Sequence, residues 1–234
     1  MYTLAVDTSR FLGGVALLRD NDPLMSLSFN VKATYSEKLL PMIHFLLSQS
    51  GLHLEETGLL AVVRGPGSFT GLRIGMTICK SLSYATGIPI AGVNALEALA
   101  AGYAVRDGYY LPLFDARKGQ VFGALYEKTA AGLTEVISPG SFEPRSFFSH
   151  VLQATPDPVF LGEGGAFREI ILSLFPSAGE DLGRETHTDP FAVGRLGRNR
   201  FLTAGASDLL SLEPDYCRLS DAEINYEKNN PASS

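Results

Sequence analysis

The stretch Arg64-Gly65-Pro66-Gly67-Ser68-Phe69-Thr70-Gly71-Leu72-Arg73-Ile74-Gly75 holds the residue types in this 234-residue chain best spaced to do chemistry. A glycine-rich turn from a buried strand into a helix leaves free backbone N–H groups at the helix N-terminus, and these attract an anion such as phosphate. The same glycines also suit a tight turn with no ligand at all. No Gly-Lys-Ser/Thr follows, so this is not a Walker A loop, and Thr70 stands where a dinucleotide fingerprint needs its third glycine. Ser68 lies in Gly-Ser-Phe, not in a Gly-x-Ser-x-Gly nucleophile elbow. His44, His53, His150 and His187 include no His-x-x-x-His pair that would put two metal ligands on one helical face. Cys79 and Cys217 are too few for a disulfide framework or a cysteine zinc site and read as free thiols. The expectation is therefore no catalytic group, no metal and no cofactor.

The elements that must position this loop form one pattern used twice. Thr3–Val6, Gly13–Arg19 and Leu24–Val31 read as strands, with Asn21-Asp22-Pro23 as a turn. Thr34 and Glu37 make a capping box for a helix whose stripe is Leu39, Leu40, Ile43, Leu46 and Leu47, with Pro41 inside it and Gly51 at its end. Leu59–Val63 is a buried strand. A second helix runs from about Thr70 to Thr86 and is stopped by Gly87 and Pro89. Pro89–Val93 is a strand, and Asn94 with Glu97 caps a third helix. The order then repeats: Tyr109–Phe114 and Gln120–Glu127 around Ala116-Arg117-Lys118-Gly119, Leu133–Ile137, a helix from Pro144, the strand Val159–Leu161, a helix over Ala166–Phe175, and a last helix from Pro190 to Ala204 capped by Asp189. The strand expected before that helix, near Arg184–His187, is weak. Hairpins followed by crossover helices imply mixed sheets flanked by helices. The expected organisation is an N-terminal lobe at 1–106, a C-terminal lobe at 107–227 and a fraying tail at 228–234.

Charge limits the partners. The net charge is −6, so the lysine and arginine excess that supplies phosphate neutralisation in nucleic-acid binding is missing. Arg195, Arg198 and Arg200 form the densest basic stretch and read as a solvated helix face. No leader peptide or membrane span is read, so the expected place is the cytoplasm.

As a whole string, Arg64 to Gly75 resembles the hallmark of the TsaB proteins. The likeness continues at Asp7-Thr8-Ser9, at Ser36-Glu37-Lys38-Leu39-Leu40-Pro41 (with Tyr35 where the family has histidine), at Gly87-Ile88-Pro89, at Asp115-Ala116-Arg117-Lys118-Gly119, and at Pro214-Asp215-Tyr216 through Ala222-Glu223. The resemblance implies a duplicated actin-like fold (the ASKHA, RNase H-like class). It also implies a non-catalytic scaffold that pairs with TsaD, a homologous subunit transferring threonylcarbamoyl to the adenosine adjoining the anticodon of tRNA. TsaE, a small ATPase, would join them, tRNA would be held through the partner, and the chain alone would form a homodimer. The actin-like nucleotide site maps onto Asp7, Thr8 and the turn Gly162-Glu163-Gly164-Gly165. Glu163 there would repel a polyphosphate, and Arg10-Phe11-Leu12 is not a run of small polar residues, so the cleft reads as vestigial. The competing class is a free-standing actin-like ATPase or small-molecule kinase.

The family pairs through the first two helices, which places the partner face on Leu40, Ile43, Leu47 and Phe69 and on the second helix. There Arg73, Met76, Thr77, Lys80, Ser81 and Tyr84 fall on one side at helical spacing, while Leu72, Gly75, Cys79 and Leu82 suit the core. Gly71 and Gly75 mark a close backbone approach, either to the sheet beneath or to a partner helix.

Overall fold

The computed structural model describes residues 1–30, 35–179, 182 and 185–217. The first half contains β1 (Tyr2–Asp7), β2 (Leu12–Arg19), β3 (Asp22–Asn30), α1 (Tyr35–Gln49), β4 (Thr57–Gly65), α2 (Phe69–Thr86), β5 (Ile90–Asn94) and α3 (Ala95–Tyr103). The second contains β6 (Gly108–Arg117), β7 (Gln120–Thr129), β8 (Gly132–Phe142), α4 (Pro144–Ala154), β9 (Val159–Gly162), α5 (Arg168–Leu174) and α6 (Pro190–Ala204). The sheets run β3-β2-β1-β4-β5 and β8-β7-β6-β9. In each, the three opening strands are antiparallel and the later ones join parallel to the first of them. This is the repeated α/β order, with mixed sheets flanked by helices, expected from the sequence.

The helix ends follow the sequence chemistry. Asn94 accepts from the Leu96 and Glu97 N–H groups, and Asp189 accepts from that of Phe191. Gly87, at φ 75°, closes α2. Glu97 does not complete a capping box; its carboxylate pairs with Arg200 on α6 instead. The other half of the first expected box, Thr34, lies outside the described residues, as do Arg184, the Ala222-Glu223 match and the 228–234 tail. Residues 185–189 form no strand; Thr186 hydroxyl accepts from Gly162 N–H at 2.6 Å beside the end of β9.

Strand periodicity separates the faces. Leu4, Val6, Val15, Leu17, Leu60 and Val62 point towards α1 and α2, while Ala5, Ala16, Leu18, Ala61 and Val63 point the other way. On that second face lie α3 and α6, and beyond them Tyr110, Phe114, Phe122 and Tyr126 of the second sheet. The other face of that sheet packs Leu111, Leu113, Val121 and Leu125 on α4 and α5. The order of layers is thus α1/α2, first sheet, α3/α6, second sheet, α4/α5. Helix α6 follows the second sheet in the chain yet packs on the first. Gly194 and Gly197 let it lie directly on Leu18 and Ala61, where a Cβ would collide. Its arginines are not a solvated face: Arg195 donates to Asn21 O at 3.1 Å, Arg198 pairs with Asp20 at 3.1 Å, and Arg200 donates to Gly92 O at 2.7 Å. All three tie the helix to the first sheet.

Candidate functional site

The glycine-rich loop holds the chain's own backbone. A Cβ on Gly67 would strike Ser9 O, one on Gly71 would strike Thr8 O, and one on Gly75 the Thr8 hydroxyl. Thr8 in turn donates its hydroxyl to Gly71 O at 2.7 Å, and Ser68 N–H donates to Ser9 O at 2.7 Å. Ser68 also caps α2 by accepting from Gly71 N–H. The close approach marked by Gly71 and Gly75 is therefore made by the loop after β1, and the N–H of Ser68, one a phosphate would need, is already used. On its other side the loop meets Asp215, whose N–H donates to Arg64 O at 2.6 Å.

Asp7 is almost fully buried. Its Oδ1 accepts from Ser9 N–H at 2.8 Å and from Ser9 Oγ at 2.6 Å. Its Oδ2 makes no hydrogen bond of normal geometry, although the Thr188 hydroxyl is near enough to favour the charged form. Burial dominates and raises the carboxyl above its ordinary 3.8, against the Ser9 bonds and the Arg10 charge.

Between the halves, where a nucleotide lies in the actin-like plan, side chains of the protein meet. Arg10 pairs with Glu163, and its guanidinium lies 4.6 Å from the centroid of the Phe114 ring. Burial lowers Arg10 to about 10, with Glu185 opposing, so it remains charged at neutral pH. Glu163 also accepts from Asp115 N–H at 2.7 Å. The cavity left beside the pair is ≈ 40 Å³, room for a few waters. Gly162 and Gly164 are filled by Leu113 and Leu182, and Gly165 faces an outer hollow of ≈ 360 Å³. Among the described residues that line that hollow, Asp115, Glu163 and Glu185 stand with Arg117, a balance that disfavours a polyphosphate. Among the described residues, this set of side chains is a poor match to the nucleotide expected there. Among the described residues no His, Cys, Asp and Glu side chains gather as a metal-binding group.

On the outer layer, the structure corrects three positions of the expected partner face. Ile43, Leu47 and Met76 are buried in the core under α1 and α2. Met76 lies one turn from Leu72 and one from Cys79, so at 100° per residue it shares their inward face. Leu40 (47% exposed), Phe69 (41%) and Tyr84 (84%) remain outside with Arg73, Thr77 and Ser81. Lys80 is half-buried and donates to Leu212 O at 2.9 Å.

A family model described as TsaD, tRNA N6-adenosine threonylcarbamoyltransferase, matches residues 30–226. The tRNA threonylcarbamoyladenosine biosynthesis protein TsaB of Bacillus subtilis is 34% identical over 229 residues, which covers 97% of this chain and 98% of that protein. The chain belongs to the TsaB family. The Escherichia coli TsaB is 36% identical over 136 residues, 57% of this chain and 58% of its own length. Two solved Pseudomonas aeruginosa structures share the fold. One, titled YeaZ, has a TM-score of 0.72 at 23% identity over 92% of this chain and 99% of that one. The other, titled as similar to the peptidase YeaZ, has a TM-score of 0.75 at 22% identity, over 93% and 99%.

Within this TsaB-family chain, Asp7 and Thr8 lie on one side of the seam between the halves and Gly162, Gly164 and Gly165 on the other. Sequence alone does not pair Arg10 with Glu163, the two residues that bridge them; each reads there only as ill-suited to a nucleotide. Tyr35 stands where the family has histidine; its hydroxyl donates to the Arg10 carbonyl and fixes the loop that carries that arginine. No sequence signal marked Tyr216 as a neighbour of Phe69, 147 residues earlier, since the two meet only through tertiary packing.

Proposed function

We propose that this chain is the non-catalytic scaffold subunit of the assembly that transfers threonylcarbamoyl to tRNA, acting by docking a homologous TsaD-like subunit through the outer face of α1 and α2. The observation that carries the reading is the Arg10–Glu163 pair, which bridges the seam where an actin-like ATPase or kinase would hold its nucleotide and leaves beside it a hollow whose described lining holds three carboxylates. A fold that has given up its ligand site in this way is left with its surface. The exposed Leu40, Phe69, Arg73 and Tyr84 supply apolar, aromatic and arginine groups of the kind enriched in interfaces. The acidic balance fits tRNA being held by the partner. A TsaE-like ATPase completes the assembly, and the chain alone forms a homodimer through the same face.

Reconstitution tests this. The chain is mixed with the TsaD-like and TsaE-like proteins of its own organism, tRNA and threonylcarbamoyl-adenylate, and modified adenosine is measured with each protein left out in turn. The expected result is no product from the chain alone and product from the complete set that falls away without it. Undiminished product without the chain, or magnesium-dependent ATP turnover by the isolated chain, overturns the reading.

A further inference from the structure

After α6 the chain runs back across the first sheet and fastens onto α2. Ser207 N–H donates to Ile90 O at 2.8 Å, Leu212 is buried in the core under α1 and α2, and Asp215 N–H donates to Arg64 O. These contacts deliver Tyr216 to the first turns of α2. Its ring stacks on Phe69 with centroids 4.6 Å apart and planes at 29°. Arg73 donates from Nε to the Tyr216 hydroxyl at 2.8 Å, while its guanidinium lies 3.9 Å from the Phe69 centroid. The three side chains make one cluster in which each fixes the other two. Tyr216 itself is half-buried; Phe69 and Arg73 are the exposed members.

We propose that Tyr216 is a positioning residue of the docking face: it holds Phe69 and Arg73 in the geometry that a helix of the homologous subunit meets. The inference rests on the docking face argued above. The physical ground is preorganisation. Arg and Phe are residue types that dominate binding energy when they sit well packed. A free arginine on a helix surface has many rotamers, and freezing them on association weakens binding. Here the Tyr216 hydroxyl and the Phe69 ring fix the guanidinium in the unbound chain. The arrangement also gives a shared purpose to two stretches far apart in sequence, Arg64–Gly75 and Pro214–Tyr216.

The experiment measures the affinity of full-length variants for the TsaD-like subunit by titration calorimetry, with urea midpoints recorded alongside. Tyr216→Ala is expected to weaken binding by roughly tenfold or more, the range of a lost aromatic anchor. Tyr216→Phe keeps the stack on Phe69 and loses the bond to Arg73, so it is expected to bind between Tyr216→Ala and wild type. Tyr216→Leu, which retains apolar bulk, serves if the alanine variant does not fold; it is expected to bind as weakly while melting near wild type. Tyr84→Glu, well away from Tyr216 on α2, reports on the docking face itself. If Tyr84→Glu abolishes binding but Tyr216→Ala or Tyr216→Leu binds as wild type, the positioning role is wrong and the face stands. If Tyr84→Glu also binds as wild type, the docking face is wrong. An affinity loss that merely tracks the urea midpoint across the Tyr216 variants also overturns the positioning role.

Discussion

Asp7 shows how far a residue's type can be read and where the reading stops. Its place at a strand end was legible, because an acidic residue closing an apolar run has few structural excuses. Its surroundings were not, because Ser9, Arg10 and Thr188 come together only in the fold. Burial raises its carboxyl, so the folded state holds a proton more tightly than the unfolded chain does. The sign is then fixed: stability from this group is full below the ordinary value of 3.8 and is lost as pH rises through the higher folded value. Asp7→Asn keeps an oxygen for Ser9 and removes the charge. It is expected to flatten that limb of the stability–pH curve and to melt no lower than wild type at pH 7, as measured by urea unfolding at a series of pH values. In the reconstituted complex the same variant is expected to retain activity. The Arg10–Glu163 pair should behave as a unit. Removing Arg10 leaves Glu163 partly buried without its counter-charge, at about 1–3 kcal/mol after allowance for solvent, and removing Glu163 costs less because Glu185, Asp7 and Asp115 still act on Arg10. Arg10→Ala with Glu163→Ala is expected to cost less than the sum of the two, which a double-mutant cycle reads directly.

At the scale of elements, most of the fold was readable because its signals are local. Alternating apolar residues announced the strands, and Asn94, Gly87 and Asp189 announced helix ends where they are found. The errors were errors of phase and of packing. On α2 the inward face runs through Leu72, Met76, Cys79 and Ser83, with Leu82 half-buried against the same core, and Ser83 satisfies its hydroxyl on Ile88 O at 2.6 Å. Met76, expected on the partner side, is the residue out of phase. The glycine-rich loop was ambiguous for a different reason: a glycine says that something comes close without saying what. Here it is the loop after β1, and Gly71→Ala tests it. The added methyl meets Thr8 O, a backbone atom that cannot swing aside. A destabilisation of about 1–3 kcal/mol is expected, against the gain of several tenths that alanine brings to an open helix position. A variant as stable as wild type would mean that the β1 loop moves freely.

At the scale of the molecule, the docking face predicts that two assemblies compete. If Leu40, Phe69, Arg73 and Tyr84 serve both a second copy and the homologous subunit, rising partner concentration should dissolve the homodimer into heterodimers in sedimentation runs. Tyr84→Glu should lose both assemblies without changing its melting temperature, since the side chain is exposed. The repetition of the elements was visible in the sequence; the path of the last helix was not. Chain order assigns α6 to the second half, but residues 190–204 fill the layer between the sheets and cover Ala5, Ala16, Leu18 and Ala61. This has a consequence during synthesis. When the first 106 residues have left the ribosome, α3 can cover only the β4–β5 side of the inner face of their sheet, and the rest over β1 and β2 stays bare until α6 emerges nearly 100 residues later. At about 5–20 residues per second that is a wait of roughly 5–20 s with an apolar face open to water. The nascent chain should thus be a client of holding chaperones over this interval, and a gene cut at codon 106 should yield an aggregate and not half a protein.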